Sequence, residues 1–342
     1  MRHIFQFPAA RLCLGLCLLA TGIDAAGALL APFPIKWSYF YDFACASGGL
    51  LIVAVFLVAV LSRLEGDPAA PAVAISFVCR RLLDACAVTI VTFVSAGAVI
   101  LMSALAASAQ FPMQDASFSA LDTALGFQWE PAIAWLNSSP LAVTLLVASY
   151  KSVAFTIPLC LVFFIATGRS RELWNFVTLM VLGAFFTAAI SCFVPAMGGY
   201  TYYAPASRSV SEFIRQWPQA GTYFVSGLLE VHGRHFATLD LSHVVGIVQF
   251  PSFHGIMALI LIFAVRPYPL LFWPFLVINL VMLVSTVPVG GHHFADVIGS
   301  IAVVVASYAI LDAAEGKPSP AVRFKAWLNR AQPAPGGVAI AG

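Results

Sequence analysis

Charge is what this sequence has least of. Of 342 residues, 17 are Lys or Arg and 15 are Asp or Glu, 9% in all, where an ordinary soluble domain carries roughly a quarter. That scarcity excludes a water-soluble globular protein, because so few polar groups cannot cover a chain that is 61% hydrophobic. The seven cysteines (Cys13, Cys17, Cys45, Cys79, Cys86, Cys160 and Cys192) are odd in number and lack CxxC spacing. They read as small apolar fillers, not as a disulfide frame or a metal site. No HExxH spacing is present, and no internal repeat or low-complexity stretch precedes the Pro/Gly/Ala tail after Gln332. A net charge of +2 with scattered basic residues gives no footprint for nucleic acid. The apolar runs are continuous where a membrane β-barrel would alternate.

What is present is a series of apolar runs long enough to cross a bilayer as helices, at roughly 12–31, 44–62, 82–107, 141–166, 174–195, 251–266, 269–288 and 294–313. The expected fold class is therefore an all-α polytopic membrane protein with about eight transmembrane helices. Arg2 and Arg11 before the first run, and Ala25, Ala26 and Ala28 after it, would also suit a cleaved signal peptide. The run is long for that role and is taken as a retained span. Residues 1–81 then carry two N-terminal helices, 82–313 a six-helix core, and 314–342 a cytoplasmic tail.

With the N-terminus inside, Arg2, Arg11, Arg63, Arg80, Arg81, Arg169, Arg171, Arg266, Lys317, Arg323, Lys325 and Arg330 are cytoplasmic, whereas Lys36, Arg208, Arg215 and Arg234 lie outside. This positive-inside bias puts both termini in the cytoplasm. Two outer connections are long. Residues 108–140, with Asp115, Asp122, Trp129 and Trp135, read as an amphipathic helix at the membrane interface. Residues 196–250 carry Tyr200, Tyr202, Tyr203, Trp217 and three arginines, an aromatic content that argues for order.

Six of the seven histidines (His232, His235, His243, His254, His292 and His293) fall on the outer side, and only His3 does not. Imidazole can accept, donate or carry a proton or phosphoryl group near neutral pH, so this gathering points to chemistry at one membrane face. His254 lies in Phe250-Pro251-Ser252-Phe253-His254-Gly255, where unsatisfied N–H groups of a helix start favour an anion. His292 lies in Gly290-Gly291-His292-His293-Phe294-Ala295-Asp296, and its spacing of four from Asp296 puts both on one helical face. Asp296 is expected to hold one ring nitrogen and leave the other free to attack. The hairpin turn Arg266-Pro267-Tyr268-Pro269 returns both sites to the same face. The span after His254 is short, which sinks that residue below the lipid surface in a vestibule.

These segments resemble the type 2 phosphatidic acid phosphatase superfamily, whose second motif reads PSGH and whose third reads SR, five residues, His, three residues and Asp. Here they read Pro251-Ser252-Phe253-His254 and Ser285-Thr286, five residues, His292 and Asp296. Phe253 stands for the motif glycine and Thr286 for its arginine, and the first motif, a Lys followed by six residues and Arg-Pro, is not found before His254. The pattern is closer to the branch of the aureobasidin-sensitive inositol phosphorylceramide synthases. The specific motifs cover 246–299, and the likeness of six core spans covers about 82–313.

The resemblance implies an extracytoplasmic enzyme of the plasma (inner) membrane that works without metal or other cofactor. His292 would be the nucleophile, Asp296 its orienting partner, and His254 the acid that protonates the leaving oxygen and then activates the acceptor. Ser252 and nearby N–H groups would hold phosphate oxygens. With no motif arginine, Arg234, Arg215, Arg208 and Lys151 are the candidates for a positive partner. The donor would be a membrane lipid phosphate or phospholipid, and the acceptor water, as in a phosphatase, or a lipid hydroxyl, as in an inositolphosphotransferase. A proton-coupled transporter and an inactive membrane scaffold are the competing readings; nearly charge-free spans disfavour the first and an intact His254, His292 and Asp296 the second.

Overall fold

The structure is a computed structural model that describes residues 2–318 apart from Gln219 and Val245. The tail beyond it, with Arg323, Lys325 and Arg330, and the side chain of His243 lie outside the described residues. The described chain is helical, with α1 Arg2–Phe5, α2 Pro8–Leu30, α3 Tyr41–Leu64, α4 Ala70–Ser108, α5 Asp115–Ala124, α6 Trp129–Asn137, α7 Pro140–Lys151 and α8 Val153–Thr167. There follow α9 Ser170–Phe193, α10 Gly199–Tyr203, α11 Arg208–Gln216, α12 Val225–His232, α13 Phe253–Val265, α14 Pro269–Ser285 and α15 Phe294–Ala314. Six of these stretches are long and apolar enough to cross a membrane: α2, α3 with the turn before it, α4, α7–α8, α9 and α15. α13 and α14 are shorter apolar helices. The expected all-α, multi-pass architecture is thus present.

Two spans differ from their expected bounds. α4 begins twelve residues earlier than the apolar run, because Arg80 and Arg81 interrupt hydropathy without interrupting the helix. The run 141–166 is two helical pieces meeting at Ser152, whose N–H and hydroxyl both turn back to the carbonyl of Ser149 (3.1 and 2.7 Å).

α9 is the central helix. Leu173, Trp174, Phe176 and Leu182 are fully buried on it, and it packs against α2, α4, α13 and α15. α3 packs along α4 at the edge of the bundle and exposes most of its apolar surface, as a lipid-facing helix does.

The outer segments fold over one end of this bundle. Residues 108–140 form two short helices, α5 and α6, where one was expected; Asp115, Asp122 and Trp129 are buried, and only Trp135 of that group is exposed. The reason is hydrogen bonding described below, which turns the carboxylates inward. Residues 196–250 are ordered around buried Tyr200, Phe213, Phe224 and Leu228. They are fixed to the loop before α15 by Gly199 N–H donating to the Gly291 carbonyl (2.8 Å), Gly221 N–H to Val289 (2.7 Å) and the Tyr200 hydroxyl to Pro288 (2.6 Å). Gly291 has φ +75°, and a Cβ there would lie 2.5 Å from the Gly221 carbonyl oxygen, so only glycine allows this approach.

Candidate active site

Two helix starts form the site. At the first, Ser252 caps α13 by accepting the N–H of Gly255 (3.3 Å). Helical geometry leaves the N–H groups of Phe253 and His254 without intrahelical partners. At the second, Asp296 closes the first turn of α15 by accepting the His293 N–H at 3.0 Å. The same oxygen, Oδ2, accepts from His292 Nδ1 at 3.0 Å. A carboxylate can only accept, so Nδ1 carries the proton and Nε2 keeps its lone pair. Asp296 Oδ1 is buried with no hydrogen-bond partner among the described residues.

Ser300, one turn beyond Asp296, joins the two starts. Its hydroxyl reaches the carbonyl oxygens of Ser252 (2.7 Å) and Asp296 (2.8 Å), and Ser252 N–H donates to that Asp296 carbonyl at 3.3 Å. His254 and His292 are thereby held at two helix starts tied directly to each other. The His254 ring is half-buried and stacks on Tyr150 of α7, with centroids 3.9 Å apart and planes 17° from parallel.

Beside this centre lies a buried group that the sequence reading did not assemble. His293 Nδ1 lies 3.1 Å from Asp122 Oδ2 and its Nε2 lies 3.3 Å from Asp115 Oδ1. Both ring nitrogens face carboxylates that can only accept, so the ring is an imidazolium. Burial opposes that charge, but the hydrogen bonds from Asp115 and Asp122 outweigh it and raise the His293 pKa to about 9. For Asp122, burial is likewise outweighed, by His293, the Ala295 N–H (2.9 Å) and Trp129 Nε1 (3.1 Å), and its pKa is lowered. Asp115 also accepts the N–H groups of Met197 (3.0 Å) and Gly198 (2.8 Å). One histidine thus ties α5, the 196–199 turn and α15 together. The seven-residue spacing of Asp115 and Asp122, two helical turns, was the available signal.

The basic candidates sit elsewhere. The Arg234 guanidinium donates twice to the Ser108 carbonyl at the end of α4 (3.1 and 2.9 Å). Arg215 is exposed beside Glu212 at 3.6 Å, Arg208 is exposed, and Lys151 is exposed at the end of α7. Thr286, at the motif-arginine position, is buried and donates its hydroxyl to Leu283 within its own helix (2.7 Å). Among the described residues, no three His, Cys, Asp or Glu side chains are arranged to hold a metal ion.

A cavity of about 480 Å³ runs from His254 into the bundle, within the ~300–1,000 Å³ range of small-molecule sites. Its walls are apolar residues of α4, α8 and α9, among them Ala96, Ile100, Leu161, Phe176 and Ala184, and Tyr223, Ile247 and Val248 of the outer segment roof it.

The family model of the PAP2 superfamily matches residues 116–310, from α5 through most of α15 and including every residue of both motifs. The chain belongs to the PAP2 superfamily. Membership supports a phosphatase- or phosphotransferase-type activity. No curated protein and no solved structure matches the chain.

Proposed function

We propose that this PAP2 protein is a membrane phosphoryl-transfer enzyme that acts on lipid phosphate esters, without metal, through a phosphohistidine. The observation that carries the reading is the His292–Asp296 contact of 3.0 Å beside His254, at the head of an apolar cavity. In the first step, His292 Nε2 attacks phosphorus. The P–N bond forms while the bond to the leaving oxygen breaks, and His254 gives that oxygen its proton. Asp296 stabilises the positive imidazole ring. In the second step, His254 takes a proton from the acceptor hydroxyl or water, whose oxygen displaces His292 from phosphorus. The N–H groups of Phe253 and His254 at the start of α13, together with Ser252, provide donors for phosphate oxygens.

A lipid substrate follows from the cavity: its walls would desolvate a hydrocarbon chain while the headgroup meets the histidines. The positive-inside distribution of Lys and Arg supports a topology with both termini in the cytoplasm and the site at the extracytoplasmic face. Phe253 and Thr286 favour the inositolphosphotransferase-like branch within the phosphatase/transferase pair. The deciding experiment incubates a mixed pool of phospholipid, ceramide and isoprenyl phosphate with wild type and His292→Ala and follows products by mass spectrometry. Phosphate release alone makes the protein a phosphatase. New headgroup-bearing lipids that vanish in the variant make it a phosphotransferase. No product from wild type contradicts the reading.

A further inference from the structure

Tyr150 packs on one histidine and reaches toward the loop of the other. Its ring covers the face of His254 at 3.9 Å. Its hydroxyl reaches the other way, to the loop that carries His292: the Cβ that Gly290 lacks would sit 3.1 Å from Tyr150 Oη and 2.7 Å from His292 Cδ2. The Thr286 carbonyl oxygen lies 2.5 Å from the same position, so glycine here lets the phenol oxygen and the edge of the nucleophile's ring approach each other across a bare Cα. Tyr150 is buried, and its hydroxyl interacts with that of Tyr223 from the outer segment. A buried tyrosine hydroxyl normally finds a fixed acceptor, yet its neighbours here are a second phenol and, across Gly290, the ring edge of His292. Meanwhile the residue at the motif-arginine position, Thr286, directs its hydroxyl into its own helix.

We infer that Tyr150 is a further residue of the active site, its ring fixing the imidazole of His254 and its hydroxyl donating to an oxygen of the phosphoryl group held between His254 and His292. A neutral donor in a buried site stabilises developing negative charge without the desolvation that a guanidinium would cost there. The flat stack also limits rotation of His254, so that its ring edge stays turned toward the leaving oxygen. The titratable groups facing His254 are Tyr150 from α7, Tyr223 from the outer segment and His292. The α4 and α9 walls contribute only apolar and hydroxyl side chains.

This inference rests on the phosphoryl-transfer reading, and vanadate binding separates the two. Orthovanadate imitates the five-coordinate phosphoryl group and needs no knowledge of the lipid. Full-length protein in nanodiscs is titrated with it across a pH series, with binding read from the rise in melting temperature. Wild type is expected to bind and His292→Ala to lose binding. Tyr150→Phe keeps the stack and removes the hydroxyl; it should weaken vanadate about 10-fold, the loss expected for one hydrogen bond, with the melting temperature of the vanadate-free protein unchanged. Tyr150→Leu removes the stack and should also shift the pH dependence of binding, which Tyr150→Phe leaves in place. Wild-type vanadate affinity in Tyr150→Phe would overturn the inference even if Tyr150→Leu fails to fold. Failure of the wild type to bind, or full binding by His292→Ala, would instead overturn the phosphoryl-transfer reading.

Discussion

Asp296 Oδ2 lies 3.0 Å from His292 Nδ1 and accepts the backbone N–H of His293 with the same oxygen. One atom therefore sets both the first turn of α15 and the tautomer of the nucleophile. Asp296→Asn keeps the shape, but its amide group can present an N–H to Nδ1 and drive the proton to Nε2, the atom that must attack. Turnover is expected to fall on the order of 10⁴-fold, as for the equivalent change in a serine protease triad, while stability falls by no more than the loss of one helix cap, about 1 kcal/mol. Steady-state assay beside a thermal melt checks this, and a turnover loss no larger than the loss of folded protein would make Asp296 a structural residue.

The His293 cluster gives stability a defined pH dependence. The folded pKa of about 9 lies above the unfolded value near 6.5, so the stabilisation is complete below about pH 6.5 and disappears as pH rises through 9. A shift of that size corresponds to about 3 kcal/mol. Asp122 shares the same contact and adds nothing separate. Thermal melts of wild type from pH 6 to 10 should show this loss, and His293→Gln, which cannot charge, should start less stable and decline less over that interval.

Gly291→Ala should damage fold and activity together. The substitution forces a side chain onto φ +75° and into the Gly221 carbonyl, at a cost of about 1–3 kcal/mol for the backbone strain alone, and loosens the outer segments from the His292 loop. Gly22→Ala in α2, where a Cβ meets nothing, is the control and should melt at or slightly above the wild-type temperature. Equal behaviour of the two variants would contradict the docking described for the outer segments.

Filling the cavity separates chain recognition from chemistry. Ala184→Phe on α9 and Ala96→Phe on α4 both reach into it. Each should lower kcat/KM for long-chain phosphate esters by about tenfold or more while sparing a short, water-soluble ester, because only the long chain needs the filled space. An equal loss on both substrates would place the hydrocarbon elsewhere.

Much of this was legible in the chain because the governing interactions are local. Apolar run length fixes a span, and the spacing of four brings Asp296 to His292, although His292 precedes α15 and the two do not share a helical face. The misjudged parts depend on distant partners. Asp115 and Asp122 look like the polar face of a surface helix until His293, some 170 positions later, draws them inside. Tyr150 reads as one aromatic in an apolar run, and Ser300 as a small helical residue, until α7 and α15 meet α13. The α4 start was missed for the opposite reason, since two charges can end a hydropathy run without ending a helix.

The central claim is that His292 carries the phosphoryl group, and trapping that intermediate tests it most directly. Wild type, His254→Ala and His292→Ala are quenched in alkali during turnover of a lipid phosphate identified from the mixed pool, and peptides are read by mass spectrometry under conditions that preserve phosphoramidates. The account predicts an acid-labile, alkali-stable phosphate on the peptide containing His292 in wild type and none in His292→Ala. A turning-over wild type without that phosphate, or His292→Ala with full activity, would contradict it.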